Sequence, residues 1–185
     1  MVNDVILYFS ILLSLHGISR KADLHQSASL ASPGTDTVLV ASDSSTLKHS
    51  NKIGIDRADL IAYAQTFKGT RYKYASADPK KGFDCSGFVM YVFNHFQMSV
   101  PRSSIDFTKV GNKVELPSAK PGDVILFTGA NSKVRKVGHV GIITQAAGDS
   151  IVFIHASSGK TYSVTETKLN AHYKARFMKV VRILE

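Results

Sequence analysis

Hydrophobic positions along the chain change their period at two points. Between residues 56 and 69 they recur at helical spacing, with Leu60, Ile61, Ala64 and Phe67 on one face, Asp56 placed to cap the start and Gly69 to end the run. A second stripe follows at Phe88, Val89, Val92, Phe93 and Phe96, and no Lys, Arg, Asp or Glu occurs from Cys85 to Phe96. A helix without a charged face belongs in a core. A short helix is expected from Ser103 toward Lys109. Further on, apolar runs bounded by turn residues predict strands at 123–127, 139–144, 151–156 and 176–184. Helices first and strands later predict an α+β fold, its helical half packed on a small antiparallel sheet with a cleft between them.

The amino end follows another pattern. Residues 5–15 form an uninterrupted apolar run apart from Ser10 and Ser14, too short for a comfortable membrane span and suited to the core of a signal peptide. No Lys or Arg precedes it and Asp4 does, so only the terminal amine supplies positive charge. Residues 1–18 are therefore expected to be a signal peptide or hydrophobic leader, cleaved somewhere between Ser14 and Ser29, and 19–51 a Ser/Ala/Thr-rich linker. Val38–Ala41 has the composition of a short strand but carries no chemistry. Residues 52–185 then form the globular domain. A chain of 185 residues with 44% hydrophobic composition can bury one good core.

Chemistry concentrates at a single thiol. Cys85, the one cysteine, stands where a loop turns into the apolar helix, behind Asp84 as a candidate cap. Unpaired N–H groups and the positive end of the helix dipole favour thiolate there. A nucleophile needs a base, and the base needs an orienting group. His139 and His155 lie on two consecutive predicted strands joined by a turn containing Gly148-Asp149-Ser150, which an antiparallel pairing brings together. A lone buried Cys is ordinarily a small core hydrophobe, and a lone strand His a satisfied core or rim residue. The three together read as nucleophile, base and orienting group.

The blocks Gly69-Thr70-Arg71-Tyr72, Gly82 to Val89, Pro101 to Ser104, Pro121 to Phe127, His139 to Ile142 and Ile154 to Ser157 occur in an order that resembles the NlpC-type cell-wall endopeptidases. These are papain-like cysteine peptidases of bacterial peptidoglycan. The resemblance spans about residues 55 to 185. It implies Cys85 as nucleophile, His139 as general base and His155 as the polar residue that holds it. Tyr72 is then the tyrosine beside the nucleophile, and Asp84 and Ser86 are substrate contacts, with Asp84 suited to an amine of the stem peptide. Arg102 and Ser103 shape the adjoining wall. The implied activity is hydrolysis of an amide in peptidoglycan stem peptides, at the γ-D-glutamyl to diamino acid bond or at the D-alanyl to diaminopimelate cross-link, with no cofactor. A monomer acting in the periplasm or cell envelope is expected.

Three departures stand out. Ala75-Ser76 replace a glycine pair, the segment between Tyr72 and Cys85 is about one residue longer, and Phe107 stands where a Gln is usual. Among other readings, a metal site of Cys85, His139 and His155 lacks any close ligand pair such as C-x-x-C. A binding module of the same fold would not need three chemically competent residues, and related folds use the same thioester for acyl transfer. The net charge of +9 comes from scattered groups, among them Lys133-Arg135-Lys136 and Lys174-Arg176-Lys179-Arg182, which ordinarily form solvated faces. If that charge has a use, anionic wall polymers or lipid head groups fit it better than nucleic acid, for which no motif is present.

Overall fold

The computed structural model describes residues 54–148 and 150–185. The expected leader, the linker and the strand at Val38–Ala41 lie outside them. Chain order begins with α1 (Arg57–Gln65), a short hairpin of β1 (Ala77–Asp78) and β2 (Gly82–Phe83), and α2 (Cys85–His95). A 3-10 helix at Ser104–Lys109 leads to β3 (Asn112–Val114), β4 (Val124–Thr128), β5 (Val137–Ala147) and β6 (Ser150–Ala156). β7 (Val164–Lys168), α3 (Ala171–Arg176) and β8 (Phe177–Arg182) complete the domain. β3 to β8 form one six-stranded antiparallel sheet in the order β3-β8-β4-β5-β6-β7. The expected α+β architecture is the observed one.

The first two predicted helices begin at their expected caps. Asp56 accepts from the Ala58 N–H, and Asp84 accepts from the Gly87 N–H at 2.7 Å. α1 ends earlier than its hydrophobic spacing implied, at Gln65, and Phe67 packs from the turn that follows. Gly69 has φ +88°, a left-handed conformation that favours glycine and lets the chain turn off toward β7, where its N–H meets the Val164 carbonyl.

The sheet is buried on both faces, which explains why β4 shows no alternation: Val124 to Thr128 are all inaccessible. On one face α2 presses Phe88, Val89, Val92 and Phe93 against a layer including Leu126, Val140, Ile142 and Ile154. Burying each such side chain contributes about 2 kcal/mol. On the other face Ile125, Phe127, Ile143, Phe153 and Val180 pack with Leu169 and Tyr173. Phe107, at the departure from the usual Gln, is a fully buried member of the first layer.

One buried charge ties the domain's ends together. Asp123 is inaccessible, accepts from Arg57 at 3.1 Å and from Arg182 at 2.7 Å and 2.9 Å, and takes the Lys120 N–H as well. Arg57 also donates to the carbonyls of Pro121 and Leu184. The expectation that the carboxy-terminal basic group is a solvated face therefore fails for Arg182, and for Lys179, which donates to the Thr108 carbonyl. Both are consumed by internal partners.

Candidate active site

Cys85 is the first residue of α2, and the local backbone explains its setting. The Asp84 cap takes the Gly87 N–H, and the first helical bond, from Phe88 to the Asp84 carbonyl, takes the next. The backbone N–H groups of Cys85 and Ser86, with that of Val140 from β5, favour the anionic form of the sulfur. Gly87 lies under the carbonyl of Ser76, where an added Cβ would sit 2.3 Å from that oxygen. Only glycine lets α2 start so close to this loop, whose Ser76 carbonyl also accepts the Asp84 N–H at 2.8 Å. The loop keeps its shape at a cost, since Ala75, where the resemblance favours glycine, holds φ +56°.

The two histidines meet as expected, though on longer strands than expected. β5 and β6 pair with Ile142 opposite Ile154, and a bulge lies between Ile143 and Gln145. His139 Nε2 and His155 Nδ1 are 2.8 Å apart, and His155 Nε2 is 3.0 Å from the hydroxyl of Thr167 on β7. Gly141 makes room for this pair, as a Cβ there would stand 3.2 Å from that of His155 and 2.9 Å from the Ile154 carbonyl. The chain of bonds permits two proton arrangements. In one, His139 Nε2–H donates to His155 Nδ1 and His155 Nε2–H donates to Thr167, which leaves His139 Nδ1 as a free base.

Burial decides the charge states. His155 is fully buried and is held down to about 3 by desolvation, with the Arg176 charge adding to the effect. His139 is lowered well below the ordinary imidazole value, by desolvation first, then by His155 and Arg176. The Cys85 thiol is pushed up by burial and then by the Asp84 carboxylate, against the N–H groups that favour its anion. Desolvation therefore opposes the preference for thiolate that the helix start gives, and it opposes protonation of the His139 imidazole.

Two cavities meet at Cys85, and Tyr72, Cys85 and Gly138 border both. The larger, about 670 Å³, is walled by Asp84, Ser86, Arg102, Ser103 and Asp106. Arg102 Nη1 donates to Asp84 Oδ1 at 3.0 Å and to Ser86 Oγ at 3.1 Å, while its Nη2 reaches Asp84 Oδ2. Both Asp84 oxygens thus carry internal partners, so this carboxylate builds the wall as well as facing the cavity. Ser103 opens the 3-10 helix without capping it by its side chain. The Tyr72 hydroxyl is pushed up to about 12 by burial and by the charges of Cys85 and Asp84. The smaller cavity, about 340 Å³, contains His139, Ser157, His172, Tyr173 and Arg176.

All the residues singled out from the sequence are therefore gathered at one groove, with His155 behind His139 and lining neither cavity. Sequence reasoning missed Thr167, the Val140 N–H and the wall supplied by α3. Only the alternation of Val164, Thr165, Glu166 and Thr167 signalled β7.

An α+β domain with a cysteine at a buried helix start and paired histidines on the facing sheet is the papain-like arrangement. The NlpC/P60 family profile matches residues 69–182, and the chain belongs to that family. It is 31% identical over 128 residues to the gamma-DL-glutamyl hydrolase of Bacillus subtilis, covering 67% of this chain and 29% of that protein. It is 30% identical over 158 residues to the murein DD-endopeptidase MepS/murein LD-carboxypeptidase of Escherichia coli, covering 80% of this chain and 78% of that one. An NlpC/P60 family protein from Bacillus cereus superposes with a TM-score of 0.62 at 27% identity, over 71% of this chain and 41% of its own. The peptidoglycan hydrolase RipB from Mycobacterium tuberculosis does so at 0.53 and 26%, over 70% and 67%.

Proposed function

We propose that this chain is a cell-wall hydrolase, a cysteine endopeptidase that cleaves the γ-D-glutamyl to diamino acid amide of peptidoglycan stem peptides. The observation that carries the reading is the Cys85 thiol in one cavity with His139, whose imidazole is held by His155, itself bonded to Thr167. Names of relatives support the two parts of the reading: a murein DD-endopeptidase supports the wall substrate, and a gamma-DL-glutamyl hydrolase supports the bond type.

Catalysis follows from the residues. As the Cys85 sulfur attacks the amide carbonyl, its proton passes to His139 Nδ1, and the imidazolium formed donates through Nε2 to His155 Nδ1. A C–S bond forms and the carbonyl oxygen becomes an oxyanion. The backbone N–H groups at the start of α2 stabilise it, each donor of this kind being worth about 3 kcal/mol. His139 returns its proton to the leaving nitrogen and the C–N bond breaks. Water then gives a proton to His139 and attacks the thioester, releasing a carboxylate and restoring the thiol. Tyr72, at the edge of both cavities, places its neutral hydroxyl beside the reacting carbonyl.

A second reading keeps the chemistry and moves the bond to the D-alanyl to diaminopimelate cross-link, favoured by the endopeptidase name of the Escherichia coli relative. Either reading carries export to the periplasm or envelope with it, supported by the apolar run at residues 5–15 acting as a leader. Stem peptides are the partner, met by a monomer, and the basic surface is available to anionic wall polymer. Digestion of stem peptides containing both bonds, with product masses read, distinguishes the two cuts. A free γ-D-glutamyl carboxylate supports the first and a free D-alanyl carboxylate the second.

A further inference from the structure

The two cavities differ in charge, and the difference orients a substrate. A general acid must stand beside the amine it protonates, so the cavity that contains both Cys85 and His139 receives the leaving fragment. No Asp or Glu is among the residues that line it, and Arg176 is the one Lys or Arg among them. The opposite cavity has Asp84, Asp106 and Arg102 in its wall, with Arg102 paired to Asp84.

Arg176 is the cation that lines the leaving side itself. Its Nε donates to the Gly129 carbonyl and its Nη2 to the Thr128 carbonyl, both at 3.0 Å, and its Nη1 lies 3.2 Å from His172 Nε2. The Tyr173 ring packs beneath it, 5.4 Å from the guanidinium carbon to the centroid. These contacts fix the guanidinium plane yet leave one N–H on each terminal nitrogen. Arg176 pairs with no carboxylate among the described residues. The other two half-buried arginines of the domain's ion pairs, Arg57 and Arg182, both sit on Asp123. A fixed guanidinium with two free donors at a cavity wall suits a planar carboxylate.

We infer that Arg176 is a specificity-determining residue that binds a free carboxylate on the leaving fragment of the substrate. The inference rests on the proposed endopeptidase reading and deepens it. In a stem tripeptide the diamino acid released through its α-amine carries its own α-carboxylate next to that amine, whereas its α-carboxamide carries no charge there. The chain then lies across Cys85 with this carboxylate toward Arg176 and the acyl fragment in the opposite cavity. Removing the partner of a site built for a charged group leaves that group without its hydrogen bonds, which is where discrimination arises.

The test uses two stem tripeptides, L-alanyl-γ-D-glutamyl-L-lysine, identical except that the α-carboxyl of the leaving lysine is a carboxylate in one and a carboxamide in the other. For the full chain, kcat/KM is expected to be about tenfold or more higher on the carboxylate. In Arg176→Gln the ratio of the two values falls to within about twofold of one, and in Arg176→Lys, which keeps the charge without the fork, it is intermediate. A structural role alone would lower both rates in proportion and leave the ratio standing, and that outcome overturns the inference. So does a wild-type protein that cuts both peptides equally. Failure of the wild-type protein to cut either overturns the endopeptidase reading, and this inference with it.

Discussion

Acid should destabilise this domain through its histidines, and His155 gives the magnitude. In the unfolded chain an imidazole takes up a proton below about pH 6.5. In the folded protein burial and the Arg176 charge hold His155 down to about 3, so between these values the unfolded state binds the extra proton. Stability is therefore present above the unfolded value and is lost as pH falls through that window, at up to about 1.4 kcal/mol per pH unit. From pH 7 to pH 5 the loss from His155 alone is about 2 kcal/mol, against a total of about 5–15 kcal/mol for a domain. His139, also lowered, adds in the same direction. Urea unfolding of the wild type and His155→Gln at pH 7 and pH 5 reads this directly. The wild type should lose about 2 kcal/mol more than the variant over the interval. Equal losses in the two proteins would mean that His155 is protonated in the folded state, and the neutral hydrogen-bonded chain from His139 to Thr167 would be wrong.

Other substitutions test separate parts of the argument. His155→Gln should retain partial turnover because an amide can still orient the His139 imidazole, while His155→Leu should lose far more; equal kcat values would make His155 a structural residue. Gly87→Ala forces a Cβ to within 2.3 Å of the Ser76 carbonyl, so α2 or its loop must shift. A cost of about 1–3 kcal/mol in thermal or urea unfolding, with reduced turnover, is expected, and wild-type stability would contradict the close approach. Ala75→Gly relieves a left-handed alanine and should stabilise by about 0.5–1 kcal/mol; a destabilised variant would show that the loop is not strained.

Legibility in the sequence followed how local each cause was. α2 could be read because its apolar stripe, its Asp84 cap and the absence of charge all lie within a dozen residues, and the same span located Cys85. The pairing of His139 with His155 could be read because one tight turn separates their strands. β7 and α3 were not read, since Val164–Lys168 and Ala171–Arg176 are polar segments ordered by the neighbours they pack on. Thr167 becomes part of the site only through the register of β6 on β7, which places Thr165 opposite His155 and Thr167 one step along the same face. Arg176 looked like one of several surface cations, and its position over Thr128 and Gly129 depends on a contact 47 residues away in the chain. The upward push on the thiol was missed for a related reason: helix position is local, but desolvation comes from the whole fold.

The measurement that tests the central claim most directly is digestion of purified cross-linked muropeptides by the full chain beside its Cys85→Ala variant, with products resolved by mass spectrometry. The account predicts new fragments from the wild type alone, ending in a free γ-D-glutamyl carboxylate. Fragments produced equally by Cys85→Ala would remove the thiol from the mechanism, and intact substrate with both proteins would contradict the assignment of peptidoglycan as the substrate.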